Sequence, residues 1–269
     1  MSAIFIPEDL ALPSFWLPAP RANRPTVRRT EKRSDLCLDE SQQGKLAHLM
    51  QAVKPTSVRG QYTGAMMSWG RTQLSAAMSG DYNDVHMNPE KPHPRFGRPI
   101  AHGMDTVTQA FAAVKHETAG TGLFPSEATI EFKHPVYIGE DHLSIHVGRP
   151  DTGVREVEVF AQRKGSTAKT LVVKIELILR TNPFFDERTW FCNLMAGWRI
   201  SALLAASWPG CLYLRQTLFF GKPLSGKNLV VRLKGETDGE KASVVSTEAN
   251  GTGWTLPFVT GKATIMLPA

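Results

Sequence analysis

One block of this sequence returns 88 residues further along the chain. Phe132-Lys-His-Pro135 leads to Gly139 and then to Leu143-Ser-Ile-His-Val147. Phe220-Gly-Lys-Pro223 leads in the same way to Gly226 and then to Leu229-Val-Val-Arg-Leu233. The same offset carries a helical stripe starting at His102 onto a second helical run near Trp190. It also carries the strand-like Leu171–Leu179 onto Val259–Leu267. Several elements recurring at one offset mark a duplicated structural unit. A chain of 269 residues has room for two such units.

Local patterning says what each unit is made of. Met104, Val107, Phe111 and Val114 step by three, four and three residues, one stripe of a helix over about 102–115. Phe191, Met195, Trp198 and Ala202 form the stripe of the second helical run. Ile130 and Phe132 alternate with Glu131 and Lys133, and Leu143, Ile145 and Val147 alternate with Ser144 and His146. Leu171, Val173, Ile175, Leu177 and Leu179 share one face, with Lys174 and Glu176 on the other. Such period-two alternation marks antiparallel strands buried on one side. A helix followed by a run of strands predicts an α+β architecture, the helix packed against a curled antiparallel sheet. The expected organisation is a Pro- and Arg-rich arm over 1–56 with a short helix around Glu40–Val53. A first unit follows over 57–180, and a second, degenerate repeat over 181–269.

Charge and composition narrow the function classes. Lys plus Arg number 31 against 25 Asp plus Glu, a mild net charge of +6 concentrated in Arg21, Arg24, Arg28, Arg29, Lys32 and Arg33. No aromatic side chain interleaves these residues, so a base-stacking surface for nucleic acid is not supported. The plain reading is a solvated arm; the sharper one has Arg28 and Arg29 contacting the phosphates of a ligand. Cys37, Cys192 and Cys211 are too few for a disulfide framework and fit a reducing compartment. With no Cys-x-x-Cys, a structural zinc site is not expected. Met1–Pro20 holds Glu8, Asp9 and four prolines but no basic leader, unlike a secretory signal. Leu194–Leu214 is mostly apolar, but Arg199 would cost about 2.5–3.5 kcal/mol at a bilayer centre, and Pro209-Gly210 interrupts the run. A buried amphipathic helix, no membrane span and a cytoplasmic location are the expectations.

The segment carrying chemistry is Ser79-Gly-Asp-Tyr-Asn-Asp-Val-His86, which reads as a turn leading into a short helix. It sets the carboxylate of Asp81 five residues before the imidazole of His86. Further on, Phe96-Gly-Arg-Pro-Ile-Ala-His-Gly-Met104 opens the first helix, leaving the Gly103 N–H in its first turn. Unpaired donors and the helix dipole there favour a developing oxyanion. An acid/base pair beside such a donor suits proton transfer next to a carbonyl. From spacing alone, a hydrogen-bonded turn pair is the plainer alternative. Shifted by 88, Asp81–His86 falls at Lys169–Lys174 inside a strand, so the second unit lacks it and the chemistry belongs to the first.

Taken together, the two blocks resemble the hydratase signature of the MaoC-like family, the (R)-specific enoyl-CoA hydratases and 3-hydroxyacyl thioester dehydratases. The family pattern is Ser-Gly-Asp-x-Asn-Pro-x-His, then Asp-Pro, then Phe-x-x-Pro-Ile-x-His-Gly-Met. The resemblance covers about residues 60–180 and implies a hot-dog fold, an antiparallel sheet wrapped around a long helix. It also implies pairing of two hot dogs, as a homodimer or as a tandem, which the 88-residue repeat fits. On this resemblance Asp81 and His86 would activate water and transfer its proton, Asn83 would brace the loop, and the Gly103 amide would polarise a thioester carbonyl. The implied reaction is reversible syn addition of water to a trans-2-enoyl thioester of CoA or an acyl carrier protein, with no metal or redox cofactor.

Four positions depart from the pattern. Asp84 replaces a proline and is expected to raise the Asp81 pKa. Asn88 replaces an aspartate, Lys91-Pro-His-Pro-Arg95 is proline-broken, and Phe111 stands where several hydratases have a small polar residue. An acyl-CoA thioesterase and a non-catalytic acyl-CoA-binding or assembly subunit are the alternatives on the same fold.

Other candidates have structural readings. His102 is expected to bond backbone at the helix start. His142 and His146 share a strand face without a carboxylate or Cys partner, so no metal site is expected there. Cys192 reads as a buried thiol, and Trp190, Phe191 and Trp198 as core. Gly120-Thr-Gly122 and Gly251-Thr-Gly253 read as turns.

Overall fold

A computed structural model describes residues 28–37, 40–90, 95–149, 154–181, 187–220, 228–237, 243–251 and 259–266. The chain opens with β1 (Arg28–Cys37), α1 (Glu40–Gln51), β2 (Lys54–Pro55), β3 (Gln61–Met66), α2 (Trp69–Ser79) and the single-turn α3 (Asp84–Met87). There follow α4 (Gly103–Thr118), β4 (Leu123–Phe132), β5 (Asp141–Val147), β6 (Val154–Arg163) and β7 (Lys169–Thr181). The last part comprises α5 (Glu187–Ser207), β8 (Leu212–Phe220), β9 (Asn228–Thr237), β10 (Ser243–Gly251) and β11 (Val259–Met266).

The described strands form one antiparallel sheet in the order β1-β9-β10-β11-β8-β4-β7-β6-β5-β3-β2. A helix followed by four strands occurs twice, and the strand order β4-β7-β6-β5 has its counterpart in β8-β11-β10-β9. The two sets meet where β4 pairs with β8, from Glu127↔Phe219 to Glu131↔Arg215.

Alternation decides which strand faces turn inward. Leu143, Ile145 and Val147 of β5, Val157, Val159 and Ala161 of β6, and Ile175, Leu177 and Leu179 of β7 are buried. On the other face of β7, Lys174 pairs with Glu156 at 2.9 Å. The inward residues close on α4, which is buried almost all round, from Met104, Val107 and Ala110 to Phe111, Ala113 and Val114. A helix wrapped on most sides by sheet needs apolar residues beyond one stripe, which explains the buried Ala112 and Ala113 outside the predicted one. α4 extends three residues beyond the predicted range and ends before Gly120, whose φ of +75° suits the turn expected there. Gly122 has a φ of +68°, while Gly253 lies outside the described residues.

Phe111 is core: its ring meets Trp190 of α5 edge-on at 5.6 Å. Trp198, also buried, donates from Nε1 to Thr108 Oγ1 at 2.8 Å and ties the two long helices together. The side chains of Phe191 and Cys192 lie outside the described residues. Among the described residues, no helix is long and apolar enough to cross a membrane.

The N-terminal region differs from the solvated arm. Arg28–Cys37 forms β1 and pairs residue for residue with β9, Arg28↔Thr237 through Cys37↔Asn228. Its pattern is nearly all polar, so period-two hydrophobicity could not mark it as a strand. Backbone bonding to an exposed sheet edge supplies what the side chains do not announce. Residues 1–27, including Arg21 and Arg24, lie outside the described residues.

Candidate functional site

The two sequence blocks meet at the N-terminus of α4. Ser68 caps α2 by accepting the Arg71 N–H, and α2 ends at Gly80, whose φ of +76° turns the chain sharply. The turn delivers Asp81 into the interior, 5 % exposed. Its Oδ1 accepts the Asn83 N–H at 3.2 Å, and Asn83 Oδ1 in turn accepts the Val85 N–H at 3.4 Å, capping α3. One turn of α3 then presents His86. The Ile100 N–H donates to the Val85 carbonyl, and the Ala101 N–H to Val136, so the second block is fastened to the first.

This packing sets the protonation pattern. His86 Nδ1 lies 2.8 Å from the Ile100 carbonyl oxygen, which can only accept. In the neutral ring Nδ1 therefore carries the proton and Nε2 is the nitrogen with the lone pair. His102 Nε2 lies 3.0 Å from the Asp81 carbonyl oxygen, so by the same reasoning it is the protonated nitrogen. This is the backbone bond expected of a helix-start histidine, and His102 is the N-cap of α4. The His102 ring also lies against His86, centroids 4.1 Å apart and 32° between planes. Burial, reinforced by the charge of His86, holds the His102 pKa well below the usual imidazole value.

Burial raises the Asp81 pKa, while His86 and the Asn83 N–H pull it down. The predicted cause, Asp84, is not among these influences; it is exposed in the first turn of α3. Asn88 accepts the Glu90 N–H at 3.0 Å, and Lys91–Pro94 lie outside the described residues.

Donor atoms of Asp81, His86 and His102 lie within 4.8 Å of one another.

Gly103 is the first residue of α4, where an N–H has no acceptor within the helix. A Cβ on Gly103 would stand 2.7 Å from Phe132 Cε1, so the aromatic ring passes over this amide only because residue 103 is glycine. Asp81, Asn83, His86 and Gly103 all line one cavity of about 410 Å³. Thus the four residues expected at the site share one space.

The second unit, expected to play no part, builds the opposite wall: Ser201 and Ala205 of α5, Cys211 before β8, and Tyr213 of β8. Burial pushes the Cys211 thiol up to about 12, so it stays protonated and unreactive at neutral pH. The Tyr213 ring meets Phe132 edge-on at 5.8 Å. From α5, Arg199 donates to the Ser79 carbonyl beside the Asp81 turn.

Arg28 and Arg29 lie on β1. β1 stands at the sheet edge, with β9 and β10 between it and the cavity-lining Met266 of β11. Their side chains lie outside the described residues. His142 and His146 are on β5, where His146 packs against Phe160 at 5.1 Å.

Residues 69–172 match the family model described as the MaoC like domain. None of the curated proteins matches the sequence. Among solved structures, the tesB protein of Mycobacterium avium subsp. paratuberculosis is similar over 84% of this chain and 99% of its own, with a TM-score of 0.53 and 10% identity. Acyl-CoA thioesterase II TesB2 from Mycobacterium marinum is similar over 81% of this chain and 96% of its own, with a TM-score of 0.51 and 7% identity. A MaoC-like dehydratase is similar over 78% of this chain and 98% of its own, with a TM-score of 0.52 and 10% identity. At these identities the likeness is one of fold. Residues 69–172 are thus similar to a MaoC like domain, and the fold that carries them is a hot-dog fold.

Proposed function

We propose that this protein is an acyl-thioester hydratase/dehydratase of double hot-dog build, its units spanning about 57–180 and 181–269. It adds water reversibly, and to one face, across a trans-2-enoyl thioester of CoA or an acyl carrier protein. The observation that carries this reading is the shared cavity. A histidine with a free Nε2, a buried carboxylate and a helix-start amide all border it.

In the hydration direction, a water held by the Asp81 carboxylate gives a proton to His86 Nε2 as its oxygen bonds to C3. Electron density moves through C2 onto the thioester oxygen, where the Gly103 N–H receives it. The imidazolium, stabilised by Asp81, returns the same proton to C2. One base serving both steps from one side makes the addition syn, and water is the sole component added. Dehydration is the reverse. The chain's own groups supply every proton transfer, so the proposal includes no metal or redox cofactor.

The test is a paired assay on short- and medium-chain trans-2-enoyl-CoA. Loss of the enoyl absorbance without free thiol supports the reading. Thiol release without loss of the enoyl group identifies a thioesterase instead, and tight binding with neither identifies a non-catalytic acyl-binding subunit.

A further inference from the structure

We infer that Arg199, on the unit lacking the dyad, is a positioning residue that holds the Asp81 turn in its working shape by clamping the Ser79 carbonyl. This rests on the hydratase reading above for its kinetic consequences, though not for its structural ones.

Three features converge on this contact. The Arg199 guanidinium reaches from α5 and donates through Nη1 to the carbonyl of Ser79, the last residue of α2. The next residue is the left-handed Gly80, where a Cβ would stand 2.5 Å from the same Nη1. Glycine is therefore required twice there, once for the backbone angle and once for the arginine. The Ser79 hydroxyl then accepts the Asp81 N–H at 3.1 Å and donates to the Ser75 carbonyl at 2.9 Å. The clamp thus acts on a residue that itself holds Asp81 by a hydrogen bond.

The carbonyls at a helix C-terminus lack intrahelical partners and carry partial negative charge, so a guanidinium there is well matched. The Arg199 contact is with the backbone carbonyl of Ser79, so it acts on the shape of the turn. The degenerate unit is therefore part of the working site even though the motif lies wholly in the other unit.

Hydrogen exchange on the full-length protein, resolved to the segment 79–86, tests this with or without turnover. In Arg199→Met, amides of 79–86 should exchange at least about tenfold faster, while those of β6 and β7 keep their protection. Added guanidinium should restore part of that protection, and Arg199→Lys should fall between wild type and Met. Where enoyl hydration is measurable, kcat should fall at least about tenfold with KM changed less than about threefold. Gly80→Ala disturbs the same contact from the other side and should loosen the same segment, which keeps the test open if Arg199→Met does not fold. Unchanged exchange at 79–86 in a folded Arg199→Met or Gly80→Ala protein overturns the inference. Faster exchange there in a protein with no hydratase activity upholds it and sinks the functional reading alone.

Discussion

The side-chain oxygens of Thr129 and Thr217 lie 3.3 Å apart across the seam between β4 and β8, and the two residues are 88 positions apart in sequence. An antiparallel pair in which a residue faces its own repeat equivalent is what a local two-fold axis produces. The repeat offset and the strand register therefore meet at one point. Such an interface is isologous, the same surface on both sides, as in a C2 dimer.

That relationship predicts the behaviour of a chain ending at Thr181. Removing α5 and β8–β11 bares the edge of β4, a ready template for another strand. Light scattering after gel filtration should find the fragment dimeric or aggregated. A stable folded monomer would show that the seam contributes little.

Gly103 and Phe132 form a second testable pair. Gly103→Ala forces the Phe132 ring to move, displacing one wall of the cavity beside the helix-start amide. A displacement of that size near reacting atoms costs on the order of 10²-fold in rate. Hydration kinetics should show that loss, and Phe132→Leu in the Gly103→Ala background should recover part of it. Full activity in Gly103→Ala would remove this amide's surroundings from the mechanism.

Arg71 and Asp105 form a buried ion pair at 2.5 Å between α2 and α4, with side chains 8% and 1% exposed. Burial raises the Asp105 pKa and Arg71 pulls it back. Arg71→Met should lower stability by about 3–5 kcal/mol, because it leaves a carboxylate buried without its partner. Replacing both, as Arg71→Met with Asp105→Leu, should recover most of that loss in urea titrations. Equal losses in the single and double variants would contradict this.

His102 gives the fold a pH dependence of known sign. Its folded pKa lies well below 6.5, so under mildly acidic conditions the unfolded chain binds a proton that the native state refuses. Its contribution is complete above about pH 6.5 and is lost progressively as pH falls below that. Between pH 7 and pH 5 the wild type should therefore lose more stability than His102→Asn, which carries no titrating side chain at this position. Parallel pH profiles for the two proteins would argue against a buried neutral His102.

How much of this was legible in the sequence follows from what each feature depends on. The inward faces of β5 and β7 and the stripe of α4 came through because burial on one side imposes a period. The predicted site residues sit together because two short blocks are fastened by local backbone bonds, Ile100 to Val85 and Ala101 to Val136. β1 was illegible: its ten mostly polar residues, which pair with β9, carry no hydrophobic period to announce a strand. Arg199 and Tyr213 were illegible as site residues because they approach only when the two units fold together, 118 and 132 residues from Asp81 in sequence. Asp84 misled for the opposite reason. Its neighbourhood in sequence suggested an influence on Asp81 that its solvent exposure removes.

The measurement closest to the central claim compares wild type, Asp81→Asn and His86→Ala on one trans-2-enoyl-CoA, following enoyl absorbance and free thiol together. Wild type should hydrate the substrate without releasing thiol. Each variant should lose about 10²–10⁴-fold in rate with circular dichroism unchanged. Wild-type hydration that survives either substitution at full rate would contradict that claim.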